Sequence, residues 1–333
     1  MDLNQLWFGL IALLFAGFFF LEGFDFGVGM LAPLLGGNDE DRGRILRAIG
    51  PHWDANEVWL VTAGGATFAA FPRWYAAMFS GLYPLLLILL LALIVRGTAI
   101  EFRGRLPGAG WRGAWSWLIA AGSFVAAMAL GAIFGNLVRG IPIDAAGSAT
   151  GGWGVPFNAY SLVCGAAAVG LCLLHGADFL SLKLAGGLSD RARVYAGRFW
   201  WTVLVLVAMV IIFSATNSGF GAAAFILQAA ALVCAAAAGI LAGRRRAGWG
   251  FLLGGLAVLA YAASFFAALY PRVIVSSTAP GNSLTIYDAA SSPYTLQVMT
   301  IVAAVFVPVV LAYQAWSYWV FRERITAGEA EEY

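Results

Sequence analysis

Long apolar runs alternate with short polar links along the whole chain. Nine runs can be read, at approximately 6–30, 51–71, 76–96, 114–138, 157–181, 199–216, 221–242, 248–271 and 293–320. Each is close to the ~20 residues that an α-helix needs to cross a hydrocarbon core. The runs are continuous and do not alternate residue by residue over short segments. The pattern therefore predicts membrane helices and not barrel strands. A link, Asn217-Ser218-Gly219-Phe220-Gly221, separates the sixth and seventh runs. The predicted fold is an all-α polytopic membrane protein with nine transmembrane helices.

The cations orient these helices. Of 19 Lys and Arg, 16 fall after runs one, three, five and seven or at the C-terminus. They are Arg42, Arg44, Arg47, Arg96, Arg103, Arg105, Arg112, Lys183, Arg191, Arg193, Arg198, Arg244, Arg245, Arg246, Arg322 and Arg324. The opposite links hold Arg73, Arg139 and Arg272. Basic links stay in the cytoplasm, which puts the N-terminus outside and the C-terminus inside. The same alternation supports nine spans. Met1 to Gln5 carry no Lys or Arg. With no basic n-region, the first run reads as a retained span, not a cleaved signal. The two longest external links, about 139–156 and 272–292, are rich in Gly, Ser and Pro. The acidic tail with Glu329, Glu331 and Glu332 reads as a solvated terminus.

An internal echo suggests a repeat. Leu21-Glu22-Gly23-Phe24-Asp25-Phe26 ends run one, and Leu174-His175-Gly176-Ala177-Asp178-Phe179 ends run five. Both fit L-x-G-x-D-F. Runs one to four (1–140) and five to eight (141–271) would be two parallel four-helix bundles. Residues 272–333 would add an external loop, a peripheral ninth helix and a tail.

Composition narrows the function classes. Hydrophobic residues make up 62% of the chain and charged residues 11%. Soluble domains carry ~25% charge, so a soluble enzyme, a nucleic-acid binder and a disordered chain are excluded. Cys164, Cys172 and Cys234 form no CxxC and read as small apolar helix residues. Two histidines, His52 and His175, lie in different runs. One bis-histidine haem would use both. His52 reads as interfacial. Trp7, Trp53, Trp59, Trp74, Trp111, Trp115 and Trp117 lie near predicted span ends, as an aromatic belt would.

Charges within apolar runs cost about 2.5–3.5 kcal/mol each at the membrane centre and mark interior faces or ion paths. Glu22/Asp25, Asp54/Glu57 and His175/Asp178 are each spaced i, i+3, on one helix face. All three pairs fall at the cytoplasmic ends of their runs, where a proton inlet would lie. Asp54 and Glu57 follow Gly50-Pro51. If the helix starts at Pro51, both acids simply favour its positive end. If it starts near Arg42 to Ala48, with Gly50-Pro51 as a kink, Asp54 lies about 10 Å deep. His175 and Asp178 also suit a plain interhelical hydrogen-bonded pair. Glu101, among Arg96, Arg103 and Arg105, suits an interfacial salt-bridge cluster.

Two blocks carry a family resemblance. They are Glu22-Gly23-Phe24-Asp25-Phe26-Gly27-Val28-Gly29 and Gly50-Pro51-His52-Trp53-Asp54-Ala55-Asn56-Glu57-Val58-Trp59-Leu60. With Ala70-Phe71-Pro72, Tyr75-Ala76, Arg96-Gly97, Glu101-Phe102-Arg103 and Ser292-Pro293-Tyr294-Thr295-Leu296, the chain resembles subunit II of the cytochrome bd quinol oxidases from residue 6 to about 324. His52 stands where many relatives have an apolar residue. The resemblance implies nine membrane helices in the bacterial cytoplasmic (inner) membrane. It implies a pseudo-symmetric heterodimer with a subunit I that holds haems b558, b595 and d and the quinol site. Small accessory subunits and membrane lipid are further expected partners; nucleic acid is not. The complex would oxidise quinol and reduce oxygen to water without pumping. The resemblance implies that Asp54 lines a hydrophilic path from the cytoplasm. Gly23, Gly27 and Gly29 read as close helix contacts.

The expected proton path thus draws on Asp54, Asp25, Glu57, Glu22, Glu101, His175 and Asp178. No catalytic, cofactor or metal ligand is expected in this chain. A proton-coupled transporter and a purely structural membrane subunit are the competing readings.

Overall fold

The structure, a computed structural model, describes residues 2–216 and 220–326. The link at 217–219 and the acidic tail lie outside the described residues. Eleven helices follow one another among the described residues: α1 (Leu3–Leu35), α2 (Asp39–Arg47), α3 (Trp53–Ala70), α4 (Pro72–Gly81), α5 (Tyr83–Phe102), α6 (Ala109–Arg139), α7 (Ala159–Lys183), α8 (Gly187–Ala215), α9 (Ala222–Gly243), α10 (Ala247–Leu269) and α11 (Pro293–Val320). Eight of them, all except α2, α3 and α4, are long and apolar enough to cross a membrane.

The segment expected as the second span is α3. At 18 residues it has the length of a short span, but Asp54, Asn56 and Glu57 crowd its first turns and keep it outside the apolar group. The helix begins at Trp53, and Pro51 lies in a turn before it. The reason is local: Pro lacks an N–H, and it disfavours helical backbone at Gly50. Residues 39–47 form the separate helix α2 instead of an extension of α3. Asn38 caps α2, acids fill its first turn and Arg44 and Arg47 its last, complementing the helix dipole. The third run resolves into α4, opened by Pro72 at its first turn, and α5 after Leu82. The sixth run extends back to Gly187, so Arg191, Arg193 and Arg198 are helical.

Helices α1, α6, α7 and α10 pack on one another at the centre and share one apolar cluster with the rest. Glycine permits the closest crossing. A Cβ on Gly27 of α1 would sit 2.0 Å from the Cys172 carbonyl oxygen of α7. A Cβ on Gly176 would sit 2.6 Å from the Gly27 backbone. Helices α6 and α7 meet similarly at Gly131 and Gly165.

Polar contacts sort the links onto two faces. On one, Arg112 pairs with Asp39 at 2.9 Å, Arg103 pairs with the same carboxylate, and Arg191 pairs with Asp41 at 2.7 Å. The backbone at Leu184 bridges to Ile325 on this face. On the other, β1 (Arg272–Ile274) and β2 (Leu284–Thr285) form an antiparallel ribbon, and Ile141 bridges to Ser276. Arg73 there donates to the carbonyls of Ala146 and Asp288. The two Gly-, Ser- and Pro-rich links thus pack together, with Ile141, Ile143, Ile274 and Ile286 buried.

Candidate functional site

Three helices bring a buried ionic cluster together. Glu22 and Asp25 lie on the inner face of α1, where both are fully buried. Arg96 projects from α5 and is also fully buried. Its Nη1 lies 2.6 Å from Glu22 Oε1 and 3.0 Å from Glu57 Oε1 on α3. The guanidinium lies over the Phe26 ring at 4.9 Å and near the Trp53 ring at 5.9 Å, so aromatic faces cover what the carboxylates leave. Arg96 follows a long apolar stretch, and from the sequence it counts among the loop cations. The structure corrects that: it lies inside the bundle.

The second carboxylate of the cluster is held by an amide. Asn56 Nδ2 donates to Asp25 Oδ2 at 2.6 Å. Gln314 Nε2 and the Tyr318 hydroxyl, both on α11, donate to Asn56 Oδ1 at 2.9 and 3.1 Å. Asn56, Gln314 and Tyr318 are uncharged, so a search for misplaced charges passes over them. The signal for Asn56 is its place between Asp54 and Glu57.

One guanidinium faces three carboxyls here. Full ionisation would leave two negative charges without a cation, at a cost of several kcal/mol per unpaired buried ion; two held protons remove them. Glu57 retains 22% side-chain exposure, so it links this interior to the surface. Asp54, one turn earlier, is exposed in the first turn of α3. Asp54 is thus exposed, Glu57 partly exposed, and Arg96, Glu22 and Asp25 fully buried.

The other expected residues lie apart. His175 and Asp178 are fully buried on α7. His175 Nε2 lies 3.2 Å from the Phe20 carbonyl, and its ring stacks on Phe251 at 4.7 Å. Both Asp178 oxygens and His175 Nδ1 lack a hydrogen-bond partner among the described residues, so the two side chains are not bonded to each other. Gly250 and Gly254 of α10 make room for the carboxyl: their Cβ atoms would sit 3.0 and 3.2 Å from its oxygens. Glu101 is exposed and has no ion-pair partner among the described residues. The cations near it, Arg103 and Arg112, converge on Asp39 instead.

The residues present do not fit a haem. His175 Nδ1 faces α10 at Gly254, 3.4 Å from where a Cβ would lie, and the rings of Phe20, Phe24 and Phe251 surround the imidazole. His52 stacks on Tyr318 at 4.2 Å beside a cavity of about 280 Å³, at the small end of ligand pockets, which span ~300–1,000 Å³. Among the described residues, no three His, Cys, Asp or Glu gather as a metal site.

The family described as cytochrome bd terminal oxidase subunit II matches residues 3–321. The chain belongs to this family. Among similar bd oxidase subunits is the cytochrome bd ubiquinol oxidase subunit 2 of Bacillus subtilis (strain 168), 41% identical over 100% of this chain and 99% of the relative. The cytochrome bd-I ubiquinol oxidase subunit 2 of Escherichia coli (strain K12) is 34% identical over 99% of this chain and 97% of that one. A solved bd oxidase structure from Geobacillus thermodenitrificans has the same fold, with a TM-score of 0.78 at 19% identity. The match covers 96% of this chain and 99% of that one. The bd oxidase family thus accounts for the fold, and the carboxyls of the ionic cluster lie within the two blocks that carried the resemblance, with Arg96 in the further Arg96-Gly97 match.

Proposed function

We propose that this chain is the non-haem subunit II of a bd-type terminal oxidase that oxidises quinol and reduces O2 to water. In this reading it braces the haem-bearing subunit I and carries protons inward from the cytoplasm. The observation that supports it is the Glu57–Arg96–Glu22 bridge, which runs from a partly exposed carboxyl to a buried one beside Asp25. Carboxyls in such a series hold and pass protons, and a guanidinium among them balances the charge as each proton moves on. Asp54 collects protons at the surface, Glu57 relays them, and Glu22 and Asp25 hold them. The unpartnered Asp178 carboxyl and the His175 Nδ1 form a second buried polar centre, and Glu101 lies at the cytoplasmic rim.

The rest of the reading follows the family. The complex contains haem. Haems b558, b595 and d belong to subunit I, which forms a heterodimer with this chain, and small accessory subunits are compatible with it. The membrane is the bacterial inner membrane, with the N-terminus outside and the C-terminus in the cytoplasm; the cation distribution supports this sense. The echo between Glu22–Phe26 and His175–Phe179 supports two parallel four-helix units, 1–140 and 141–271, followed by 272–333.

The test is turnover of the purified complex against pH. Asp54→Asn removes a proton collector and leaves shape unchanged, so haem content and subunit ratio are expected to persist. Oxygen consumption is expected to fall about tenfold at the alkaline end, where protons are scarce. That is below the ~10²–10⁴ of a direct acid–base group, because water can bypass one collector. The sign follows from supply: at acid pH other routes keep pace, and the loss grows as pH rises. Turnover equal to wild type from about pH 6 to 9 would make Asp54 a helix-end residue only.

A further inference from the structure

Helix α11 is the least enclosed of the long helices: of its 28 residues only Leu296 is buried. Yet near its cytoplasmic-side end two side chains reach inward together. Gln314 and Tyr318 lie one turn apart on the same helix face. Both donate to one atom, Oδ1 of the fully buried Asn56. At its other end Asn56 Nδ2 donates to Asp25 Oδ2 and lies 3.5 Å from the Leu21 carbonyl. The Tyr318 ring is itself fixed by its stack on His52, with planes 11° apart.

The two ends of a primary amide have nearly the same shape and opposite chemistry. Packing does not distinguish them, so hydrogen bonds decide which way the amide points. As it stands, Asn56 turns an N–H to Asp25, which complements the ionised carboxylate. Turned over, it would present an oxygen, which complements only the protonated carboxyl. Turning over would also aim its NH₂ at two donors. A second consequence concerns route. An amide does not pass a proton on as a hydroxyl does, so Asn56 separates Asp25 from the aromatic cavity beside Tyr318. Protons then reach Asp25 from the Glu57 side.

We propose that Gln314 and Tyr318 are positioning residues, which act from the last helix to fix the Asn56 amide and so select the protonation state that Asp25 favours. This rests on the reading of Asp25 as a proton-carrying group. The other charged and titratable groups around Asp25 lie outside α11. They are Glu22 on its own helix, Glu57 on α3 and Arg96 on α5.

The experiment uses the complete haem-bearing complex. Gln314→Leu, Tyr318→Phe and the double variant are compared for haem content, turnover against pH, and the carboxyl region of the redox-induced infrared difference spectrum. Asp25→Asn identifies the Asp25 band. One donor suffices to orient the amide, so each single variant is expected within about twofold of wild-type turnover, and the double about tenfold below it, a non-additive loss typical of residues in one network. The Asp25 band is expected to move slightly in the singles and further in the double. Losses that simply multiply, with an unmoved band, overturn the proposal; slow turnover in Asp25→Asn would then leave the proton reading standing. Full turnover in Asp25→Asn with no band lost overturns both. Should the double variant not assemble, Tyr318→Phe keeps the ring on His52, and an unmoved Asp25 band in it overturns the proposal.

Discussion

Replacing Arg96 with leucine is expected to remove the subunit from the membrane almost completely. The guanidinium is fully buried and bridges Glu22 and Glu57. Leucine fills part of its volume but leaves carboxyls on two helices facing each other without a cation. Breaking a buried pair from one side costs about 3–5 kcal/mol, against a total stability of ~5–15 kcal/mol for a typical fold. The amount of subunit in the membrane and the haem absorbance of the purified complex measure the outcome. Arg96→Lys is expected to be intermediate: it keeps the charge, but its single ammonium does not reproduce the planar fork or the stacking on Phe26. Combining Arg96→Leu with Glu22→Gln and Glu57→Gln is expected to recover part of the lost assembly, since of the three carboxyls only Asp25, held by the Asn56 amide, then remains without a cation. Wild-type levels of the Arg96→Leu complex would show that the cluster carries no structural charge balance.

The second large effect is expected from one methyl group. Gly27→Ala places a Cβ 2.0 Å from the Cys172 carbonyl oxygen and 2.8 Å from the Gly176 Cα. Both neighbours are backbone, so no side-chain rotation relieves the contact, and α1 and α7 must separate. Overpacking of a tight core costs about 1–3 kcal/mol and more where backbone must shift. Here about 3 kcal/mol or more is expected, read as a lower melting temperature of the complex in detergent. Gly9→Ala on the same helix is the control. Nothing lies within 4 Å of its Cβ, so alanine should be neutral or stabilising by up to ~1 kcal/mol through helix propensity. Equal melting temperatures for the two variants would count against the backbone crossing.

These residues differ in how far the sequence exposes them. Glu22 and Asp25 stand out because charge is scarce in an apolar run, and the structure places both in the interior. Arg96 escapes the same logic. Counting cations assigns each to a link, and Arg96 lies only six residues before the end of α5. Its place depends on Glu22, 74 positions earlier, and a one-dimensional pattern carries no such pairing. Gln314 and Tyr318 are further away still from Asn56, and hydropathy records neutral polar groups weakly. Gly27 reads as a helix contact, but the identity of its partner, Gly176, is a long-range fact. The helix break at Gly50-Pro51 was legible as a break; that residues 39–47 would form a helix of their own follows from the Asn38 cap and the end charges acting together.

The length of α1 has an electrical consequence. Its 33 residues extend about 50 Å, longer than the ~30 Å hydrocarbon layer. Glu22 lies 19 residues beyond Leu3, about 29 Å along the axis. If the start of the helix meets the outer boundary, the cluster lies at the inner edge of the insulating layer. In the proposed reading, a proton arriving there from the cytoplasm would have crossed little of the transmembrane voltage, which is worth about 2.3 kcal/mol per charge per 100 mV. Almost all of that work would remain to be done between this subunit's carboxyls and the oxygen-reducing centre, so where the centre lies, and not this inlet, would set how much charge each turnover separates.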